Sequence, residues 1–242
     1  IAVEARQERM RELIFQSRPE SMPGEKAVYS DLGFLLLGFA LEEVTRMPLF
    51  RAVRELLWDP MGIREASYRL SNRNPSRETT ENVAATENCP WRGVVLQGQV
   101  HDDNCWAMGG YGGHAGVFST ASELLHFGKS LLGGFFSWDI VKAAWTRVSP
   151  PPGCERTLGC DTPSGPSPSV GSFFSPRSIG HLGFTGTSLW IDPDAGITAV
   201  LLTNRVHPSR ENLKIREFRP RFHDAVRSDF SRLRAKHFDA PR

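Results

Sequence analysis

Apolar Val3, Met10, Leu13 and Ile14 stand among charges over the first sixteen positions, a spacing that predicts an amphipathic helix. Residues 17–25, with two prolines and a glycine, predict a turn region. A continuous apolar run comes next, Leu32-Gly33-Phe34-Leu35-Leu36-Leu37-Gly38-Phe39-Ala40-Leu41, closed by Glu42-Glu43. Ser30 or Asp31 is placed to cap that run as a helix reaching about Arg46. Pro48 suits the first position of another helix over residues 49–57, with Phe50, Val53, Leu56 and Leu57 as its buried stripe. Trp58-Asp59-Pro60-Met61-Gly62-Ile63 is expected to break it. Residues 71–93 are polar and without periodicity, which predicts an extended loop, and residues 94–100 predict a short strand. A glycine cluster, Gly109-Gly110-Tyr111-Gly112-Gly113-His114-Ala115-Gly116, precedes a helix over 121–132 capped by Ser119 or Thr120, with Glu123 in its first turn.

The last third changes period. Residues 149–172 are dense in Pro, Gly and Ser and predict a long surface loop. Residues 180–183 read as extended. Two apolar β-type runs, 187–191 and 197–203, flank Asp192-Pro193-Asp194-Ala195-Gly196, which predicts a hairpin with a five-residue loop. Residues 211–235 form a basic amphipathic pattern, expected to lay one face on the sheet, with anion binding the weaker alternative. There is no internal repeat.

The 242 residues suffice for one good core with room for a subdomain, and 40% hydrophobic with 23% charged residues excludes wholesale disorder. The net charge of +2 gives no electrostatic case for nucleic acid or an anionic membrane surface. No apolar run has the length of a transmembrane helix. Residues 1–18 are charged and amphipathic, unlike a secretory signal, but the chain opens on Ile and is read as a partial N-terminus. The compartment, cytoplasmic or periplasmic, therefore stays open. Cys89, Cys105, Cys154 and Cys160 form no C-x-x-C pair, which argues against a metal site. A Cys154–Cys160 disulfide across the Pro/Gly loop and four free thiols are both open readings.

Two segments carry candidate chemistry. Tyr29 sits with Ser30 and Asp31 where the apolar helix begins. A free phenol titrates near about 10 and is a poor base, but a nearby lysine ammonium would favour the phenolate, which could then activate a serine hydroxyl. The alternative is an interfacial aromatic beside a helix cap. The second segment is His181-Leu182-Gly183, followed by Phe184-Thr185-Gly186-Thr187. An extended edge beside a glycine can turn backbone N–H groups toward a substrate, as an oxyanion hole requires. His181 could orient a leaving group or a carboxylate, or be a strand-edge histidine satisfied by a backbone carbonyl. His101-Asp102-Asp103-Asn104 makes a poor metal site, because adjacent residues do not easily all face one ion. With His114 it is expected at a cleft rim, touching substrate or stabilising the loop.

Together these motifs resemble the penicillin-recognising serine hydrolases of the class C β-lactamase type, which include esterases, D-aminopeptidases and D,D-carboxypeptidases. Tyr29-Ser30-Asp31 is similar to the Tyr-x-Asn triplet of that branch. Leu57-Trp58-Asp59-Pro60-Met61-Gly62-Ile63 is similar to its Pro-Leu-Gly-Met turn. Gly113-His114-Ala115-Gly116-Val117-Phe118-Ser119-Thr120-Ala121-Ser122-Glu123-Leu124 resembles its glycine-then-Ser-Thr helix entry. His181-Leu182-Gly183 stands where Lys-Thr-Gly is expected. The resemblance implies an α/β (α+β) fold of the β-lactamase/transpeptidase type, a mostly antiparallel sheet flanked by helices with an inserted helical and loop-rich region. Residues 1–242 would be the C-terminal portion of a single such domain, with 1–175 the helical and loop-rich region and 176–242 the sheet strands and C-terminal helix.

The resemblance further implies acyl transfer to a serine from a small-molecule ester or amide. Tyr29 would be the base, His181 a positioning group, Phe184 the oxyanion donor, and Asp31 and Gly183 substrate-side residues, with no metal or organic cofactor. Three departures qualify this. No serine here has a lysine three residues on, so the Ser-x-x-Lys nucleophile and the N-terminal strands are expected upstream of residue 1. Asp31 replaces Asn and cannot donate to a substrate amide carbonyl. His181 replaces Lys, which removes a fixed cation for a substrate carboxylate unless Arg177 or another arginine supplies it. The last two point toward esterase or amidase chemistry and away from β-lactams, with a β-lactamase or D,D-peptidase as an alternative. Other readings are an inactive fragment or pseudoenzyme that binds a ligand, and an interaction module without chemistry. The chain by itself is expected to express poorly or aggregate, because its sheet edge would be exposed.

Overall fold

The computed structural model describes residues 2–71 and 80–237. The chain forms two compact units, Ile1–Glu123 with Val206–Arg210, and Leu124–Arg205 with Glu211–Arg242. All four cysteines are free thiols. Among the described residues no helix is long and apolar enough to cross a membrane.

In the first unit, α1 (Val3–Gln16) and α2 (Asp31–Thr45) pack through Ile14, Leu35 and Phe39 onto Met108, with Met10 against them. Ser30 is the N-cap of α2: its Oγ accepts the Leu32 N–H at 3.2 Å. Arg46 ends the helix in the left-handed region, φ 56°.

The next helical segment departs from expectation. α3 (Leu49–Val53) passes into a π turn (Arg54–Trp58) and then α4 (Asp59–Met61). The wider turn holds an extra residue and rotates the residues beyond it off the α-helical stripe. Leu56 is consequently 60% exposed, while Leu49, Ala52, Trp58 and Met61 are buried. The Trp58–Met61 stretch continues the helical path where a break was expected.

β1 (Ser67–Tyr68) pairs antiparallel with a strand at the far side of the glycine cluster. Within the segment expected to be loop, β2 (Asn88–Cys89) pairs with β3 (Val94–Val95), to which the strand expected over 94–100 contracts. Residues 72–79 of that expected loop lie outside the described residues. α5 (Asp103–Ala107) is capped by Asp102, whose Oδ1 accepts the Cys105 N–H at 2.7 Å. β4 (Val117–Phe118) is the partner of β1.

One buried charge ties residues Val206–Arg210 into this unit. The Glu87 carboxylate accepts Arg210 Nε at 2.7 Å and Nη2 at 2.5 Å, and is hydrogen-bonded to His101 Nε2 at 2.9 Å. The Arg210 hydrogen bond outweighs burial and, with His101, holds the Glu87 carboxyl down at about 2.

α6 (Ala121–Leu132) begins where expected, and the Thr120 Oγ1 accepts the Glu123 N–H at 3.4 Å. α7 (Trp138–Trp145) was not anticipated. It is eight residues long and none of its residues is fully buried, with Val141, Ala144 and Trp145 half-buried.

The second unit is built on an antiparallel sheet in the order β5 (Ile179–Leu182), β6 (Ser188–Asp192), β7 (Ile197–Leu201). Asp192 pairs with Ile197, so the hairpin loop is four residues where five were expected. The reason is local: the Asp192 carboxylate accepts the Asp194 and Ala195 amides at 2.9 and 3.1 Å, drawing Asp192 into the ladder. Val170, Phe174, Trp190, Ala195, Ile197 and Ala199 form the core, with Leu182, Val226 and Phe230 against it.

α8 (Ile215–His237) supplies Val226 and Phe230 to that core. It starts at Ile215, four residues after the expected position, because Asn212 Oδ1 takes the Lys214 N–H at 3.1 Å in a local turn. Its inward positions Ile215, Arg219 and His223 repeat every four residues. His223 Nε2 is hydrogen-bonded to the buried Ser188 Oγ at 2.9 Å, and burial, with the Arg219 charge, lowers its pKa to about 4.

Candidate active site

Tyr29 lies in extended chain just before the Ser30 cap, and its side chain is 69% exposed. Asp31 is the first residue of α2, where the helix dipole favours a carboxylate. The fold brings Asp102 and His114 to it: one carboxylate oxygen of each aspartate and one imidazole nitrogen all lie within 4.8 Å of one another. His114 Nε2 is hydrogen-bonded to Asp102 Oδ1 at 3.0 Å. The approach depends on Gly113, because a Cβ there would collide with the Phe34 carbonyl of α2.

Burial raises the Asp102 pKa, but the His114 hydrogen bond and the Cys105 amide more than offset it and hold the carboxyl below its ordinary value. Two carboxylates and an imidazole are donors of the type that hold a divalent cation. Among the described residues the His114 ring is hydrogen-bonded to Asp102 through Nε2, while its buried Nδ1 has no hydrogen-bond partner. Adjacency in sequence argued against a metal at residues 101–104. The cluster instead draws one donor from each of three segments, which no spacing reveals.

The second set of residues stands at the end of β5. His181 is partly buried, and its Nδ1 is hydrogen-bonded to the Leu182 carbonyl at 2.9 Å. Residues 183–187 turn sharply into β6. Gly183 N–H donates to Thr187 O at 2.8 Å and Gly186 N–H to Gly183 O at 3.0 Å. A Cβ on Gly183 would strike the Thr187 hydroxyl, so any larger residue requires the Thr187 side chain to move.

All five carbonyls of this turn accept hydrogen bonds. Arg219 Nη2 reaches Gly183 O at 2.9 Å and Thr187 O at 3.2 Å, and its Nε reaches Gly186 O at 3.2 Å. Arg205 Nε donates to Phe184 O at 2.9 Å, and Arg205 N–H to Thr185 O at 2.9 Å. The Arg205 guanidinium also stands 4.6 Å over the Phe184 ring. Arg177, the arginine named from the sequence, pairs instead with Asp194 in the β6–β7 loop at 2.7 Å. Arg205 and Arg219 escaped the sequence reading, since neither a strand-end arginine nor one charge within an apolar helix face marks a site. Tyr29 and Asp31 thus belong to one compact unit, and His181, Gly183 and Phe184 to the other.

Residues 2–219 match the sequence profile of the beta-lactamase family. The chain belongs to the beta-lactamase family. Among curated relatives, a putative D-alanyl-D-alanine carboxypeptidase of Salmonella enteritidis is 34% identical over 228 residues, covering 84% of this chain and 51% of that protein. The chain therefore spans about half the length of the curated beta-lactamase-family relatives it matches.

Solved structures agree on the fold. A mutant of simvastatin synthase from Aspergillus terreus aligns with a TM-score of 0.68 at 17% identity, covering 93% of this chain and 60% of that one. A penicillin-binding protein from Bacillus halodurans aligns at 0.64 with 16% identity, covering 91% and 62%. The mixed helical and antiparallel-sheet architecture is that of the β-lactamase/transpeptidase fold, as expected from the motifs.

Proposed function

We propose that this chain is the C-terminal portion of a single serine hydrolase domain that cleaves a small ester or amide through an acyl-enzyme. The nucleophile, a Ser-x-x-Lys serine, would lie in the part of the relatives' length that this chain does not span. In this reading Tyr29 is a phenolate, held ionised by the lysine of Ser-x-x-Lys; the serine Oγ attacks the substrate carbonyl carbon and the phenolate Oη takes the hydroxyl proton. The carbonyl π electrons move to oxygen, where the Phe184 N–H meets the developing charge. The C–O or C–N bond then breaks, and the leaving group departs with the proton held by Tyr29. Water, deprotonated by Tyr29, releases the acid. Gly183 would allow the turn, and His181 and Asp31 would be substrate-side residues.

The observation that carries this reading is the 183–187 turn. Its five carbonyls are all engaged by donors of its own unit, which fixes the direction of its N–H groups before any substrate arrives.

The test is labelling of the full-length protein by a fluorophosphonate probe, together with hydrolysis of p-nitrophenyl acetate. Tyr29→Phe should lower kcat by about 10²–10⁴-fold with an unchanged melting temperature. Undiminished turnover in that variant, or no labelling of the full-length protein, would sink the proposal.

A second reading, D,D-peptidase activity, is favoured by the name of the Salmonella relatives and by Arg205. That guanidinium, held against Phe184, could supply the cation for a substrate carboxylate that His181 lacks. Hydrolysis of a diacetyl-L-lysyl-D-alanyl-D-alanine peptide in preference to p-nitrophenyl acetate, lost in Arg205→Ala, would select it.

A further inference from the structure

Arg219 is 7% exposed. Every hydrogen bond its guanidinium makes among the described residues goes to a backbone carbonyl of the 183–187 turn. Burial and the nearby Arg205 charge both lower its pKa from the ordinary arginine value, yet a guanidinium titrates too high to lose its proton. A cation taken out of water without a carboxylate is costly. Carbonyl dipoles offset part of that cost only if they are aimed at it.

Those dipoles belong to peptide units with two ends. In a planar trans peptide the C=O and the N–H point in opposite directions. The peptide whose carbonyl is Gly183 O carries the Phe184 N–H at its other end. Arg219 Nη2 donates to that carbonyl at 2.9 Å, and Gly186 N–H donates to the same oxygen at 3.0 Å. Two donors on the oxygen draw electron density along the amide and make its N–H a stronger donor, because hydrogen bonds in a chain polarise one another. They also fix the plane of the peptide, and so the direction of the N–H.

We infer that Arg219 is a positioning residue for the oxyanion site: from behind the turn it orients and polarises the Gly183–Phe184 peptide, whose N–H meets the oxyanion. The inference rests on the acyl-transfer reading above. It assigns a catalytic consequence to a side chain that touches neither substrate nor nucleophile. A buried cation behind the turn also favours negative charge in front of it, in a region where partial burial keeps the field from being screened. The geometry asks for arginine specifically, since one planar fork spans three carbonyls that a lysine ammonium on a single stem cannot reach together.

The experiment uses the full-length protein with Arg219→Lys and Arg219→Gln. Acylation by p-nitrophenyl acetate is followed for rate. The acyl carbonyl stretch is recorded by infrared difference spectroscopy on the enzyme acylated by a trans-cinnamoyl ester. Removal of a direct oxyanion donor costs about 10²–10³-fold, so an indirect one should cost less. Arg219→Gln is expected to lower kcat by about 10-fold with KM within two-fold, and to move the acyl carbonyl band to higher frequency as its hydrogen bond weakens. Arg219→Lys, which keeps the charge, should fall between wild type and Gln in both readouts.

A merely structural arginine would lower the melting temperature and leave the carbonyl band of the surviving folded enzyme unmoved, and that result overturns the inference. If Arg219→Gln does not fold, the band in Arg219→Lys decides. Failure of the acyl-transfer reading gives a different signature: the wild type itself takes no cinnamoyl group and no fluorophosphonate, and the inference falls with it.

Discussion

Glu87 and Arg219 are both nearly sealed from water, 4% and 7% exposed, one in each compact unit, and their partners differ in kind. Glu87 meets full opposite charge: the Arg210 fork grips both carboxylate oxygens and His101 adds a third bond. Its field closes on itself, and the product is mechanical, a strap that holds Val206–Arg210 to the first unit. Among the described residues Arg219 donates only to carbonyl dipoles, so no carboxylate cancels its charge there and it acts through the peptides it holds. A buried charge with a counter-ion serves as a clamp. One facing dipoles biases whatever lies at their far end.

That contrast can be broken in several ways. The largest effect is expected from Glu87→Ala, which strands Arg210 beside an emptied buried site. The Arg210 side chain is 40% exposed and can rehydrate, so losing the charge-assisted bonds of the carboxylate costs about 3 kcal/mol, to be read as a fall in the urea midpoint of the full-length protein. A loss below about 1 kcal/mol would mean that Glu87 is no clamp.

Acid titration separates the two units next. The Glu87 carboxyl, near 2 when folded against an ordinary 4.5, contributes stability that is complete above pH 4.5 and disappears as pH falls toward 2. His223, near 4 when folded against 6.5, acts earlier: below pH 6.5 the unfolded chain takes up a proton that the folded state refuses until about 4. Both therefore destabilise on acidification, each on the order of 3 kcal/mol, in windows of 6.5–4 for the second unit and 4.5–2 for the first. Thermal melts at pH 7, 5 and 3 test this. A melting temperature flat between pH 7 and 5, or a drop there that survives His223→Gln, contradicts the assignment.

The smallest effect concerns the Tyr29 segment. Ser30→Ala removes the α2 cap and should cost about 1 kcal/mol. If it also slows p-nitrophenyl acetate hydrolysis by the full-length protein more than that stability loss accounts for, the cap holds Tyr29 in place as well as the helix.

The pattern of the chain foretold the elements whose burial matches their own period. α1, α2 and the β6–β7 hairpin were legible because one face of each meets a core, and α6 because Thr120 caps it. The π turn at Arg54–Trp58 was not, since a change in hydrogen-bond register leaves no mark on composition and simply moves Leu56 out and Trp58 in. The start of α8 was missed because Asn212 captures a backbone amide in a local turn. The Tyr29 triplet and His181-Leu182-Gly183 were legible as motifs, by residue type and order along the chain. Their surroundings were not.

By itself the sequence determined family membership, the order of helices and strands, and the two segments that carry candidate chemistry, all of which depend on residue type and local period. Tertiary structure alone decided which charges meet. Asp31 with Asp102 and His114, Glu87 with Arg210, and Arg219 with the Gly183–Thr187 carbonyls are pairings across tens of residues or more. The physical reason is that a hydrogen bond or an ion pair depends on a few ångströms in space, and separation along the chain carries no record of that distance.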